Sequence, residues 1–294
     1  METRGEQHTT KDTSHSPTWT TTMADAVRSR NAGSSAVITA SIVVPTYKEC
    51  ANLKELVTRV FAALGSRASS TEIIVVDDNS NDGSADVIKA LAATGLNVRI
   101  IVRTTDRGLS SAVLRGFEEA KGDLLLCMDA DLQHPPESVP HLLDAIDPAK
   151  GSDAEFVIGT RYGGDRFSVD KDWPLYRQVI SSGARMLARP LSGLSDPMTG
   201  FFGVPAKVLQ RARKSEVNSV GFKIALELFV KCRVKKHAEV PINFGVRVHG
   251  ESKLSGKVIV LYLQHLFDLY NFAYPSLLWC IFLLLFTLAL ITFL

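Results

Sequence analysis

Five short apolar runs, most separated from the next by a helical pattern, restrict this chain to one kind of architecture. SIVVP (Ser41 to Pro45), EIIVVDD (Glu72 to Asp78), NVRIIVR (Asn97 to Arg103), DLLLCMD (Asp123 to Asp129) and EFVIGTR (Glu155 to Arg161) read as strands. Helical patterns run from Asn52 to Leu64 and from Ser84 to Ala93, the second capped near Asp82. In RGLSSAVLRGFEEAKGD, Gly108, Ala112, Gly116 and Ala120 recur every four residues, which lays small side chains along one helix face and allows close approach to a sheet. Strand and helix in alternation predict an α/β fold: an open, mostly parallel sheet with helices on both faces. Ligands of such sheets sit beyond the carboxyl ends of the strands.

The polar residues fall where that rule wants them. Thr46, Tyr47 and Glu49 follow the first strand, Asp77 and Asp78 end the second, and Asp129 and Asp131 follow the fourth. The segment LLCMDADLQHPP (Leu125 to Pro136) is the most informative of these. Carboxylates at i and i+2 leaving a buried strand repel each other, and a hard divalent cation such as Mg²⁺ or Mn²⁺ relieves that repulsion, completing its shell with water and substrate phosphates. No GxGxxG follows the first strand, so a dinucleotide dehydrogenase is not indicated; PTYKE stands there, with proline where a phosphate cradle needs glycine. In an acidic crevice phosphates bind through a metal bridge, while sugar hydroxyls and base N–H groups suit Asp78 and Glu49. A nucleotide sugar meets all of these requirements.

The flanks differ in composition. Residues 1–36 are rich in Thr, Ser and charge with few large apolar residues, predicting a disordered tail, and they contain no apolar stretch of the secretory type. Ser276 to Leu294 carries no charge; at 1.5 Å per residue it is long enough for one bilayer crossing, so 275–294 is expected to be a transmembrane anchor. Arg247, Lys253 and Lys257 precede it, which places the preceding domain on the cytosolic side. Residues 255–274, apolar and aromatic, are expected to lie at the membrane interface, with packing on the domain as the competing arrangement. That leaves 37–254 as the globular domain. A net charge of +2 implies no attraction to nucleic acid. The four cysteines (Cys50, Cys127, Cys232, Cys280) show neither zinc nor disulfide spacing, and reduced thiols suit a cytosol-facing domain.

PTYKE, VVDDNSNDGS, the DRGLSSAVLRGFEEAKGD helix, MDADLQHPP, GTRY, DPMTGFFG and HGESKL occur in that order from about Ser41 to Leu254 and resemble the family 2 glycosyltransferases. Within that family the likeness is to the group that moves mannose from GDP-mannose to dolichyl or another polyprenyl phosphate. The resemblance implies a GT-A-type fold, inversion at the sugar, an endoplasmic reticulum membrane location and a product used in glycosylation and GPI-anchor synthesis. It also implies that Pro45, Tyr47, Glu49, Val76 and Asp78 hold guanine and ribose, that Asp129, Asp131 and Gln133 hold the metal, and that Ala130 meets the nucleotide through its backbone. Arg161, Arg177, Arg247 and Lys253 would surround the donor diphosphate and the acceptor phosphate. Because the chain carries its own hydrophobic segment, no obligatory protein subunit is implied.

Arg107 departs modestly from the family, standing where Lys or Asn is expected, and PAKGSDAE (Pro148 to Glu155) looks like a surface insertion. The four cations lie in a half of the chain with little matching acid nearby. The nucleophile would be a phosphate already ionised at neutral pH, so neither His134 nor His249 is needed as a base. Asp196 is expected to serve structure rather than sugar. Two rivals remain: a dolichyl-phosphate glucosyltransferase using UDP-glucose, and a tethered nucleotide-sugar-binding subunit without turnover. A processive synthase is not indicated, because it would need several membrane helices and a QxxRW motif.

Overall fold

A computed structural model describes residues 37–162, 175–212, 217–218, 223–245 and 256–276, with isolated positions 283, 286, 287 and 291. Its strands and helices follow in the order β1 (Ala40–Thr46), α1 (Cys50–Leu64), β2 (Thr71–Asp77), α2 (Ser84–Ala93), β3 (Val98–Val102), α3 (Leu109–Glu119), β4 (Leu124–Cys127), α4 (Val139–Ala145) and β5 (Phe156–Thr160). The second half continues with α5 (Leu175–Ser192), β6 (Phe202–Pro205), α6 (Ala206–Ala212), α7 (Ile224–Lys231), β7 (His237–Pro241) and α8 (Gly256–Ala273). The strands form one seven-stranded sheet in the order β3-β2-β1-β4-β6-β5-β7. All neighbours pair parallel except β6, which runs antiparallel to both β4 and β5. DPMTGFFG thus ends in a reversed strand, which lets the chain turn back beside the crevice.

β1 and β2 are buried along their whole length, which explains their unbroken apolar runs: a parallel strand covered on both faces has no polar side to show. The expected small-residue face of α3 meets β1 closely at Gly116. A Cβ on Gly116 would lie 2.3 Å from the Cγ1 of Val43, so α3 can touch β1 only because position 116 has no side chain.

The pairing of β1 with β4 ends at Val43 and Cys127, although β1 continues to Thr46 beside β2. Pro45, which has no N–H, therefore deprives β4 of no bond. Beyond that point β1 and β4 part, and strand order reverses between them. This is the topological switch point, where α/β sheets bind ligands.

Left-handed backbone gathers at the same rim. Lys48 follows β1, Asn79 and Asn81 follow β2, Asp106 follows β3 and Leu132 follows β4, all at φ between 51° and 62°. Such conformations cost non-glycine residues about 1–2 kcal/mol each and persist where the surroundings impose them.

α8 packs on α5 and α7 through buried His265, Leu266 and Leu269. Two of its tyrosine hydroxyls, and that of Tyr274 just beyond its end, donate to carbonyl oxygens of α5: Tyr262 to Ala184 at 2.7 Å, Tyr270 to Leu187 at 2.9 Å and Tyr274 to Pro190 at 3.0 Å. The opposite face, with Ile259, Val260, Leu263 and Phe267, remains exposed and apolar. Of the two arrangements expected for this segment, packing on the domain is the one observed. Among the described residues no helix is long and apolar enough to cross a membrane. Most of the expected anchor, 275–294, and the whole expected tail, 1–36, lie outside the described residues.

Candidate active site

The acid pair after β4 does not present two equivalent carboxylates, as the i, i+2 spacing suggested. Asp129 keeps its side chain 38% exposed, whereas Asp131 is buried and its Oδ1 accepts the backbone N–H of Gln133 at 3.1 Å. Asp131 closes its own tight turn through left-handed Leu132, and Asp129 faces the crevice. Gln133 is fixed at both ends: its Nε2 donates to the Gly245 carbonyl at 3.1 Å, and its own carbonyl accepts the Gly245 N–H at 2.9 Å.

Two features hold Asp129. Its backbone N–H donates to His134 Nδ1 at 3.1 Å, and the buried imidazole stacks on Phe201 with ring centroids 5.0 Å apart. Nδ1 is thereby used as an acceptor, so His134 positions the acid turn after β4. On the other side, a Cβ on Gly200 would come within 2.9 Å of Asp129 Oδ2, so a side chain at 200 would push the carboxylate from its place.

Hard oxygen donors on one turn fit Mg²⁺ or Mn²⁺. Among the described residues no three His, Cys, Asp or Glu side chains converge. Asp129, Asp131 and the Gln133 amide are the oxygen donors that could hold such an ion, and a set this small would leave coordination positions for water and phosphate.

Arg161 corrects the expectation of cations without nearby acid. Its Nε and Nη2 donate to Asp196 Oδ2 and Oδ1 at 2.7 and 2.9 Å, and Asp196 is completely buried. Burial alone would depress the guanidinium, but the Asp196 carboxylate more than compensates and holds its pKa above the ordinary arginine value. Asp196 is therefore structural, as expected, and aims Arg161 over the Phe244 ring at 5.2 Å. Phe244 also meets His134 edge-on at 5.6 Å, so one ring braces both the acid turn and the cation.

At the other end of the crevice, Asp78 is buried and already engaged. Arg103 Nη2 donates to its Oδ1, and the Gly108 N–H donates to its Oδ2 at 2.8 Å. A carboxylate has further lone pairs for a base or ribose group, but here it also clasps the start of α3 to β2. Asp77 is consumed internally by Thr46 and Ser80. Glu49 accepts from Asn52 Nδ2 at 2.7 Å. Pro45 and Val76 are buried partners in the β1–β2 register, so only their backbones can meet a ligand. Ala130 is buried likewise. Tyr47 is exposed, with the Arg107 guanidinium 5.2 Å from its ring.

The structure thus brings Tyr47, Glu49, Asp78, Asp129, Asp131, Gln133 and Arg161 to the carboxyl ends of the sheet. Arg177 lies in the first turn of α5, and Arg247 and Lys253 fall outside the described residues. Sequence reasoning missed Arg103, although its place at the end of NVRIIVR was a usable signal. It also missed Lys223, at the N-cap of α7, whose Nζ donates to the Met198 carbonyl at 3.1 Å. Burial, with the Arg161 charge, lowers this ammonium's pKa to about 8 against the opposing pull of Asp129 and Asp196.

Glycosyl transferase family 2 matches residues 41–211, and the chain belongs to that family. The chain is 56% identical over 242 residues to a dolichol-phosphate mannosyltransferase of Mycosarcoma maydis, covering 80% of each. To the protein of that name from Saccharomyces cerevisiae it is 55% identical over 242 residues, covering 80% of this chain and 88% of the relative. The fold matches solved glucosyl-3-phosphoglycerate synthase of Mycobacterium tuberculosis, in complex with Mg²⁺ and UDP, at a TM-score of 0.57 and 20% identity, covering 88% and 85% of the two chains. A structure of that synthase with Mn²⁺, UDP-glucose and phosphoglyceric acid matches at 0.55 and 22% identity, covering 86% and 85%.

Proposed function

We propose that this chain transfers mannose from GDP-mannose to dolichyl phosphate or a similar polyprenyl phosphate, with inversion, at the cytosolic face of the endoplasmic reticulum membrane. The observation that carries this reading is the 55–56% identity to two dolichol-phosphate mannosyltransferases over 80% of the chain. The rim geometry agrees with it. Tyr47, Glu49 and Asp78 line the end of the crevice suited to base and ribose, and Asp129, Asp131 and Gln133 would hold Mg²⁺ or Mn²⁺ at the other.

The metal supplies charge neutralisation for the donor diphosphate. Arg161, aimed by Asp196, stands ready for phosphate oxygens, with Arg177, Arg247 and Lys253 as further cations. The chemistry needs no protein base. An acceptor phosphate oxygen attacks the anomeric carbon, the bond from that carbon to the diphosphate oxygen breaks, and GDP leaves with the electron pair. The product is a glycosyl phosphodiester of inverted configuration, and position and charge carry most of the rate. The exposed apolar face of α8, together with Ile180, Met186 and Leu187 of α5, supports a bilayer as the surface that presents the acceptor.

The test is a transfer assay on the full chain with Mg²⁺ or Mn²⁺, a polyprenyl phosphate and a panel of labelled nucleotide sugars. Transfer from GDP-mannose alone is expected. Transfer from UDP-glucose alone, or none from any donor, would replace this reading with one of its rivals.

A further inference from the structure

Among the described residues, Lys223 is a cation with no anion bonded to it. Its Nζ has three donor hydrogens, and among the described residues the Met198 carbonyl is the one acceptor within hydrogen-bond reach. No carboxylate of the described residues lies within ion-pair distance of it, although the residue as a whole is partly buried. Its place opposes ordinary preferences in two further ways. The residue sits at the N-cap of α7, the positive end of a helix, where lysine is disfavoured. It also shares its surroundings with the Arg161 guanidinium, whose charge acts against its own.

Removing an ammonium from water without a compensating charge costs several kcal/mol, so a protein that keeps one needs a partner for it. The neighbouring acids do not fill that role. Asp196 is spent on Arg161 through both of its oxygens. Asp129 attracts the ammonium without bonding it and faces the crevice instead. What remains is a pair of neighbouring cations, Arg161 and Lys223, at a helix N-terminus beside Asp129, and the cations and the helix end suit an anion.

We propose that Lys223 is a phosphate-binding residue of the active site, its ammonium completing its shell with a phosphate oxygen of the donor diphosphate or of the acceptor monoester. Met198 then fixes one hydrogen and leaves the others for the ligand. The same 196–200 turn thereby organises three parts of the site: Asp196 holds Arg161, the Met198 carbonyl holds Lys223, and Gly200 backs Asp129. The inference rests on the functional reading above for the identity of the phosphates, but its test measures binding rather than transfer.

The full chain, its Lys223→Met and Lys223→Gln variants and the charge-retaining Lys223→Arg are titrated by calorimetry with GDP plus Mn²⁺ and, separately, with a short water-soluble isoprenyl phosphate. Thermal midpoints of the ligand-free proteins are recorded alongside. Loss of at least about tenfold in affinity for one probe is expected in both neutral variants, with partial recovery in Lys223→Arg and no fall in midpoint. Weaker GDP binding assigns the contact to the donor, and weaker isoprenyl phosphate binding assigns it to the acceptor. Wild-type affinity for both probes in whichever neutral variant folds, or a lower midpoint with unchanged affinity, overturns the proposal. Failure of the wild-type chain to bind either probe would overturn the functional reading as well, so the two failures are distinguishable.

Discussion

The two cations of this site differ in their partners, Arg161 paired with a buried acid and Lys223 bonded to a carbonyl, and the consequences differ sharply. Asp196 is wholly buried and spends both oxygens on Arg161, so removing the guanidinium leaves an uncompensated charge in the interior. Arg161→Ala should therefore cost about 3–5 kcal/mol of folding stability as well as phosphate binding, measured by urea unfolding; unchanged stability would show the pair to be weakly coupled to the fold. Lys223 behaves oppositely. Its pKa falls from 10.5 to about 8 on folding, driven by burial and by Arg161 against Asp129 and Asp196, so the unfolded chain binds more protons between those values. Stability linked to this group accordingly rises as pH climbs from about 8 toward 10.5. The thermal midpoint of the wild type should gain on that of Lys223→Met across this window, and a constant difference would contradict the assignment. The Asp129–Asp131 pair was legible from spacing alone, but its division of labour was not. Which carboxylate closes the turn depends on Leu132 adopting a left-handed conformation, and nothing in an apolar residue announces that. Lys223 was equally invisible, because its importance comes from Met198 and Arg161, both distant in sequence.

Elements were easier to read than residues wherever a single period dominated. β1 and β2 declare themselves as unbroken apolar runs because they are covered on both faces, and α2 begins at Ser84 as read, with the Asp82 carboxylate accepting its backbone N–H at 3.0 Å. The reversed direction of β6 could not be read, since four residues of FGVP pair equally well either way; the turn held by Thr199 and Gly200 decides it. Small residues every four along α3 were a sharper signal, and the structure explains them. Gly116→Ala would drive a methyl group into Val43 and should destabilise the protein by about 1–3 kcal/mol. Urea midpoints would record it, and a neutral result would mean that α3 rides farther from β1 than described. The insertion-like tract is pinned at its start, where Arg67 donates to Asp147 at 2.7 Å, which keeps the excursion short and out of the crevice.

At the scale of the molecule, the sheet supplies the crevice and the α5–α8 layer supplies an apolar outer face, and buried hydrogen bonds join the two regions. His265 of α8 meets Glu227 of α7 at 2.7 Å, and α7 begins beside Lys223, so a helix reading the membrane would be tied directly to the site. Replacing Val260 and Phe267 together by Asp should cut sedimentation with phospholipid vesicles several-fold while leaving GDP binding unchanged, because both side chains are exposed and distant in sequence from the metal turn. Undiminished vesicle binding would remove this face from the account.

The central claim is that the acid turn after β4 holds the metal on which the donor rests. The most direct measurement is the rate of mannose transfer by Asp129→Asn, compared with its urea midpoint. Transfer should fall by at least about a hundredfold. Stability should stay within about 0.5 kcal/mol of wild type, since this side chain is partly exposed. An Asp129→Asn protein that folds normally and still transfers mannose at close to the wild-type rate would contradict it.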